Sequence, residues 1–412
     1  MELRRVAITG MNSISGIGNN IDEMWDNLIN GKTGIEKFDL CGDPDMAHFA
    51  ARVKNLSFSE EFFDHKDLKN LDLFAKFGVQ ATMDLLHNQS FFEKDKFGYD
   101  PYRIGCLMGV GIFGIETIND AAHKYTNGKK RDISYYHLAA MIPNSVTAQI
   151  SIKSGIKGIA SAASSACSSA SIAIAQAAQE IMLGSHDMII TGGSDSSFEN
   201  SWYYGFSKLA LTKYKGDDVK MACKPFDVDR KGTVFGEGAG ILILEDYEKA
   251  KQRGATIYGE IVGFGSTSDA FHSLAMDPKV EAPIAAMKNA LKMANIQPSQ
   301  IDWVSTHSPG TPKGDIGEAQ AIQEVFGENR PLITAFKSYL GHSMGASGAH
   351  ELIALIKSVN EGYAVPTLNL ENVDKNCDLN HVMGEPIKVK TTYALKNAIG
   401  FGGTNSSLVI KF

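Results

Sequence analysis

The feature that most limits how this chain can fold is a recurrence of short, apolar, β-branched runs set among helical segments. RRVAITG, RIGCLMGVG, DMIITGG, GILILED, IDWVSTH and PLITAFK follow one another along the sequence. Bounded by glycine and separated by helices, such runs read as strands buried within an α/β fold. The 40 glycines gather at strand and helix ends, where tight turns or close backbone approach require them. With few loops and many apolar strands, a layered α/β/α core is favoured over an open sheet of the dinucleotide-binding kind.

A boundary falls near residues 246–258, where GILILED is followed by the charged helix YEKAKQRG and a new strand from Ile257. It divides the chain into two α/β halves in close contact, 1–252 and 253–412. The final stretch, TTYALKNAIGFGGTNSSLVIKF, reads as two strands around a glycine-rich turn. At 412 residues the chain is long enough for one large core or two fused ones. A net charge of -7 argues against non-specific nucleic-acid binding. The five cysteines are scattered, with no CxxC pair, which fits reduced thiols better than a disulfide scaffold or a zinc site. The opening residues lack the apolar stretch of a signal peptide, and no run has the length of a bilayer span. The expectation is a cytoplasmic enzyme with no membrane segment.

Residues 161–184, SAASSACSSASIAIAQAAQEIMLG, predict a helix from Cys167 to Leu183 closed by Gly184. Its polar face is thin, so most of it should be buried. Cys167 would then sit at a helix start, where unpaired N–H groups and the macrodipole favour a thiolate and lower the thiol pKa. Alone, a cysteine among alanines is more simply a small buried hydrophobe. Two further segments change that balance. In WVSTHSPGTPKGDIGEAQAI, His307 falls just past a strand in a loop shaped by Gly310, Pro312 and Gly314, with Asp315 and Glu318 in the first turn of the next helix. In LITAFKSYLGHSMGASGAHELIAL, a strand ends at Lys337 and a tight turn holds Gly341 and His342. Two histidines at equivalent strand ends, each in a glycine-rich loop, point to function more than to packing.

These segments, together with RRVAITGMNSISGIG, SSACSSA, CKPFDVDRKGTVFGEGAGILILED, THSPGTPKGD, KSYLGHSMGASGAHE and GFGGTN, resemble the β-ketoacyl-acyl-carrier-protein synthases of the elongating type. That family is a branch of the thiolase-fold condensing enzymes and includes the ketosynthase subunits of type II polyketide pathways. The resemblance implies a five-layered α/β/α/β/α fold built from two similar halves. It implies a decarboxylative Claisen condensation of an acyl group on Cys167 with malonyl carrier protein, with His307 and His342 as the other triad members. Lys337 and Glu351 match a supporting charged pair, and the N–H groups of Cys167 and Phe401 match an oxyanion hole. Phe206 and Phe401 match gating aromatics, and Ile112 the end of the acyl pocket near a dimer interface. Thr311 matches a contact to the pantetheine arm. Lys66, Lys69, Lys130, Arg131 and Lys224 match a basic rim for an acidic acyl carrier protein. No cofactor or metal is implied, since the substrates ride on the carrier's phosphopantetheine. The partner besides the carrier would be a second copy, or a chain-length-factor-like subunit.

Three departures touch the substrate channel. Pro309 replaces a threonine and supplies neither hydroxyl nor backbone donor, Ile399 stands for a phenylalanine at the gate, and Phe113 takes a glycine's place beside Ile112. Changes that spare the triad are what a change of substrate looks like. The rival readings fare worse. A non-catalytic or chain-length-determining partner subunit should have lost Cys167. A thiolase needs a second catalytic cysteine, and Cys377 in VDKNCDLNHV is outside any glycine-rich turn. A priming synthase should carry Asn at His342.

Overall fold

The computed structural model describes residues 3–40, 42–43, 45–91, 98–196 and 198–412. All six apolar runs form strands, because each alternates onto two faces that are both covered. In the first half the framing elements are β1 (Val6–Ile14), α1 (Leu73–Asn88), β2 (Ile104–Gly109), β3 (Ala160–Ala163), α2 (Ser169–Met182), β4 (Met188–Asp195) and β5 (Gly238–Asp246). In the second they are β6 (Gly259–Ser268), α3 (Glu281–Ala294), β7 (Trp303–Ser305), α4 (Pro312–Phe326), β8 (Leu332–Thr334), α5 (Ser347–Glu361), β9 (Asn380–His381), β10 (Tyr393–Gly400) and β11 (Thr404–Lys411).

Among the described residues the main sheet has eleven strands in the order β9-β8-β7-β10-β11-β6-β1-β5-β4-β2-β3. Outward from the centre, β1 pairs antiparallel with β5, β5 antiparallel with β4, and β2 and β3 add in parallel. The other side repeats the scheme: β6, β11 and β10 are antiparallel neighbours, then β7 and β8 follow in parallel. Among the described residues the two half-sheets are joined where Val6–Ile8 of β1 meets residues 259–261 of β6. Helices α2 and α5 pack against each other and against strands of both halves, while α1 covers the outer side of the first and α3 that of the second. The result is the five-layered stack that the sequence resemblance implies.

Close packing in the central layer follows from residue size. Ala170, Ala173, Ala177 and Ala178 of α2 are wholly buried, and a methyl on Gly109 would lie 2.2 Å from the Ala170 nitrogen. The turn before α5 approaches still closer, with Gly345 against Gly111 of the loop after β2. The buried carboxylate of Asp195 accepts the N–H groups of Gly111 (2.9 Å), Ile112 (2.9 Å) and Gly345 (2.7 Å), fastening the two turns. Three local expectations shift. The α2 helix starts at Ser169, two residues after Cys167; β6 starts at Gly259; and Lys337 opens a short helix, Lys337–Leu340, instead of closing a strand. Among the described residues no helix is long and apolar enough to cross a membrane. Cys106, Cys167, Cys223 and Cys377 are free and buried; Cys41 lies outside the described residues.

Gly345→Ala would place a methyl 2.1 Å from the Gly111 nitrogen, where only backbone can yield. Overpacking of this kind costs about 1–3 kcal/mol, so the variant should melt several degrees lower by calorimetry; an unchanged melting temperature would contradict the contact.

Candidate active site

Cys167 lies in the tight loop between β3 and α2. Ala166, just before it, has φ +51°, the left-handed region that a side chain disfavours. Serines hold the chain there: Ser169 Oγ donates to Ala166 O (2.6 Å) and accepts from Ser165 N (2.8 Å), and Ser168 Oγ donates to Ser165 O (2.8 Å). The β10–β11 hairpin rests on this loop. Thr404 Oγ1 donates to Ser165 O at 3.1 Å, and a methyl on Gly400 would meet that same oxygen at 2.8 Å. The turn thereby brings the Phe401 N–H to the Cys167 sulfur, where the N–H of Cys167 itself also points.

His342 reaches the same sulfur from the other half: its Nε2 is 3.0 Å from Cys167 Sγ and its Nδ1 2.8 Å from Ser347 Oγ. Its backbone is clamped by Val234 O (2.7 Å) and the Gly236 N–H (3.0 Å), which explains the glycine-rich GTVFGEG segment. The His307 ring stands edge-on to His342, with centroids 5.5 Å apart. Its loop is held from below by α4. Glu318 accepts from His307 N (2.8 Å), Ser308 N (2.7 Å) and Ser308 Oγ (2.6 Å), and Asp315 accepts from Gly310 N (3.0 Å) and Phe226 N (2.9 Å). Asp315 lies in the first turn of α4 and Glu318 a turn further on, not in the first turn as expected, and together they frame the histidine loop. Pro309 sits between the Ser308 and Gly310 N–H groups that the frame uses, so its missing donor costs the frame nothing.

Behind His307 lies a buried set of charges. Lys337 Nζ donates to His307 O (2.5 Å), stands 3.4 Å from His307 Nδ1, and pairs with Glu351. An ammonium facing Nδ1 selects the tautomer in which Nε2 carries the proton. Lys396 of β10 lies 2.7 Å from the second Glu351 oxygen. Lys396 and Ser347 went unremarked in the sequence, although a single lysine within the apolar run YALKNAIG is a legible signal.

Cys167 belongs to an apolar cluster with Ile112, Phe198, Tyr203, Phe235 and Met344, against which Phe206 packs. Phe206 stacks on Phe401 with centroids 5.8 Å apart and planes at 24°. Thr311 is half-buried at the N-cap of α4. Phe113, by contrast, is exposed at the surface. Three placements differ from expectation. Ile399 faces away from the nucleophile: Gly400 points at Ser165, so by strand alternation Ile399 points the other way, lining a small cavity with Ala286 and Met287 of α3. Glu351 lines no channel, because both of its oxygens are taken by lysines behind the histidines. Lys224 is no rim residue; it is buried beside Asp227 (3.4 Å) and Glu371 (3.7 Å). Lys66, Lys69, Lys130 and Arg131 are exposed, and Ser134 Oγ bonds Asn70 Oδ1 (2.8 Å), tying the 65–70 helix to the 130–134 segment.

Burial decides the protonation states. It pushes the Cys167 thiol up to about 12, against the Lys337 charge and the two N–H groups. A lowered pKa at the helix start is thus overturned: the dipole favours the thiolate by far less than a dry site opposes it. Burial and the Lys337 and Lys396 charges hold His307 and His342 well below the usual imidazole range, so both rings are neutral near pH 7. The arrangement is a neutral thiol against a neutral imidazole, primed for proton transfer on attack.

Comparison with known proteins is consistent along the whole chain. Residues 3–250 match the family described as Beta-ketoacyl synthase, N-terminal domain, and residues 258–371 match its C-terminal domain. A 3-oxoacyl-[acyl-carrier-protein] synthase 2 of Staphylococcus aureus is 37% identical over 99% of this chain and 98% of its own length. The protein of that name from Coxiella burnetii is 33% identical over 100% and 99%. Among solved structures, a β-ketoacyl synthase from Burkholderia phymatum superposes with TM-score 0.91 at 31% identity, covering 99% of each chain. A type II polyketide ketosynthase, solved with its acyl-carrier protein, gives 0.90 at 28% identity over 99% of each chain.

A thiol raised to about 12 stays protonated through neutral pH. The absorbance difference at 240 nm between the wild type and Cys167→Ala should therefore show no thiolate between pH 7 and 9; a plateau reached below pH 8 would contradict the buried, neutral pair.

Proposed function

The chain belongs to the beta-ketoacyl synthase family, and on that premise we propose that Cys167, His342 and His307 carry out its condensation. It is an acyltransferase of fatty-acid or polyketide synthesis. The observation that carries the residue assignment is the 3.0 Å approach of His342 Nε2 to a sulfur that two backbone N–H groups also address.

In the first half-reaction the thiol attacks an acyl thioester carried on a phosphopantetheine arm. His342 Nε2 takes the Cys167 proton as the bond to the carbonyl carbon forms, the N–H groups of Cys167 and Phe401 hold the oxyanion, and the leaving pantetheine thiolate receives the proton. In the second, malonyl carrier loses carbon dioxide and the negative charge moves onto its thioester oxygen. His307 Nε2–H donates to that oxygen, in the tautomer Lys337 selects. His342 joins as a second donor once its proton sits on Nε2, and Ser347 Oγ supports either tautomer because a hydroxyl both donates and accepts. The enolate carbon attacks the acyl-cysteine and gives a 3-oxoacyl product two carbons longer. The Cys167 thiolate then takes one proton from solvent.

An acidic acyl carrier protein docks on the exposed basic residues Lys66, Lys69, Lys130 and Arg131. A second subunit, either another copy or a chain-length-factor-like chain, covers the free edge of β3. That edge carries exposed Ala160 and Ser161, with Ile159 exposed just before them, and Leu138, Ile142 and Phe113 are further exposed apolar side chains of this half.

Cys167→Ala should lose the acyl mass shift that intact-protein mass spectrometry shows after incubation with acyl carrier; acylation elsewhere would sink the assignment. His307→Ala should still acylate but release carbon dioxide from malonyl carrier about 100-fold more slowly, and undiminished release would remove His307 from the chemistry. For docking, Lys66→Glu combined with Arg131→Glu should raise KM for the carrier-bound substrate roughly tenfold at low salt while leaving a small thioester's KM alone. Equal KM values for both substrates would place the carrier on another face.

A further inference from the structure

Lys396 is a buried cation that the proposed chemistry does not use. It is fully inaccessible, on a strand whose next residue of the same face but one, Gly400, presses on the nucleophile loop. Beside it in the sheet lies Ser305 of β7, two residues before His307. A lone ammonium in such a place carries a large desolvation cost, so its retention needs partners. It has two: its own neighbour's carbonyl, Asn397 O, and Glu351 Oε2 at 2.7 Å, a charge contact and not an aligned hydrogen bond.

Glu351 is the same carboxylate that holds Lys337. Its Oε1 goes to Lys337 and its Oε2 to Lys396, so neither lysine can take both oxygens. Lys337 is thereby left with donors to spare, and these reach His307 O (2.5 Å) and face His307 Nδ1 (3.4 Å). We propose that Lys396 is a positioning residue: by occupying one oxygen of Glu351 it keeps Lys337 turned toward His307, and so fixes the His307 tautomer that donates to the malonyl thioester oxygen. Without Lys396, Glu351 keeps a buried, unpartnered oxygen, and the nearest cation able to satisfy it is Lys337, which would swing off the ring. The inference rests on the assignment of His307 to the decarboxylation half-reaction.

The surrounding charges make the effect readable in pH. Glu351, Lys337 and Glu318 act on Lys396, and Lys337, His342 and Lys396 act on His307. Glu318 is engaged by the His307 loop's own N–H groups. Removing the Lys396 cation lets an imidazolium form more easily, so more of the ring is protonated at a given pH and the acidic limb of decarboxylation moves upward.

The test is Lys396→Met in the full-length protein, with both half-reactions measured separately: acylation of Cys167 by mass spectrometry, and carbon dioxide release from malonyl carrier. Carbon dioxide release should fall at least ten times more than acylation, through kcat and not KM, with the acidic limb displaced upward by about one pH unit. Lys396→Gln, which keeps a polar side chain facing Glu351 but not the charge, should fall between the wild type and Lys396→Met; it is the informative variant if the methionine protein does not fold. Equal losses in both half-reactions, or an unmoved pH profile, would reduce Lys396 to a packing residue and overturn the proposal. A His307→Ala protein that releases carbon dioxide from malonyl carrier as fast as the wild type would refute the earlier assignment instead, and this inference would fall with it.

Discussion

One buried carboxylate, Glu351, ties the site together. It stands on α5, and its two oxygens receive ammonium groups from two other elements, the short helix before His342 and strand β10 before Phe401. Through Lys337 the connection continues to His307 at the end of β7. Four chain segments from the second half are therefore registered on a single group. Three ionised side chains almost without solvent contact would each cost several kcal/mol if unpaired. Their mutual satisfaction makes the arrangement all-or-none: displacing any one of them leaves a charge stranded. That is a stiffer mount for an imidazole than apolar packing alone, which tolerates small slides.

The nucleophile depends on a different kind of constraint. Among the described residues, the hydrogen-bonding partners of the Cys167 sulfur are uncharged, two backbone N–H groups and a neutral imidazole, and the thiol belongs to an apolar cluster. The positive charges sit one layer back. This separation is physically coherent. A cation in contact with the sulfur would stabilise a resting thiolate and blunt its attack, whereas charges held behind the histidines favour negative charge only where it develops.

Much of this was legible in the sequence, and the parts that were not share a cause. The six apolar runs are all strands, since β-branched residues between glycines leave little choice. The strand Ala160–Ala163 was not foreseen, because four small residues carry no β signal and it forms by adding to the edge of β2. His307 and His342 stood out in glycine-rich loops and Cys167 at a helix start among serines and alanines, and the three do converge. Lys224, Lys396 and Glu351 were harder, because a charged residue that is buried and paired is written with the same letter as one in water. The helix-dipole argument for Cys167 failed for that reason too: position relative to a helix is visible in sequence, but the dryness of the site is not.

The departures that suggested an altered substrate are spread over three unconnected places. Pro309 is buried within the frame of the His307 loop, Ile399 is turned toward α3, and Phe113 is exposed. None of the three belongs to the apolar cluster that contains Cys167, where an acyl chain on that sulfur would lie under the assignment proposed above. Chain selectivity is therefore better sought in Ile112, Phe198, Tyr203, Phe206 and Met344. Among these Phe206 has a special position, because its ring stacks on Phe401, the residue whose backbone N–H addresses the sulfur. On the assignment proposed above, an acyl chain that displaces the Phe206 ring would disturb that stack, and with it the N–H proposed to hold the oxyanion. On that same assignment, pocket filling and oxyanion stabilisation would meet at one aromatic contact, and a chain of the wrong shape would be penalised in the reaction itself and not only in binding.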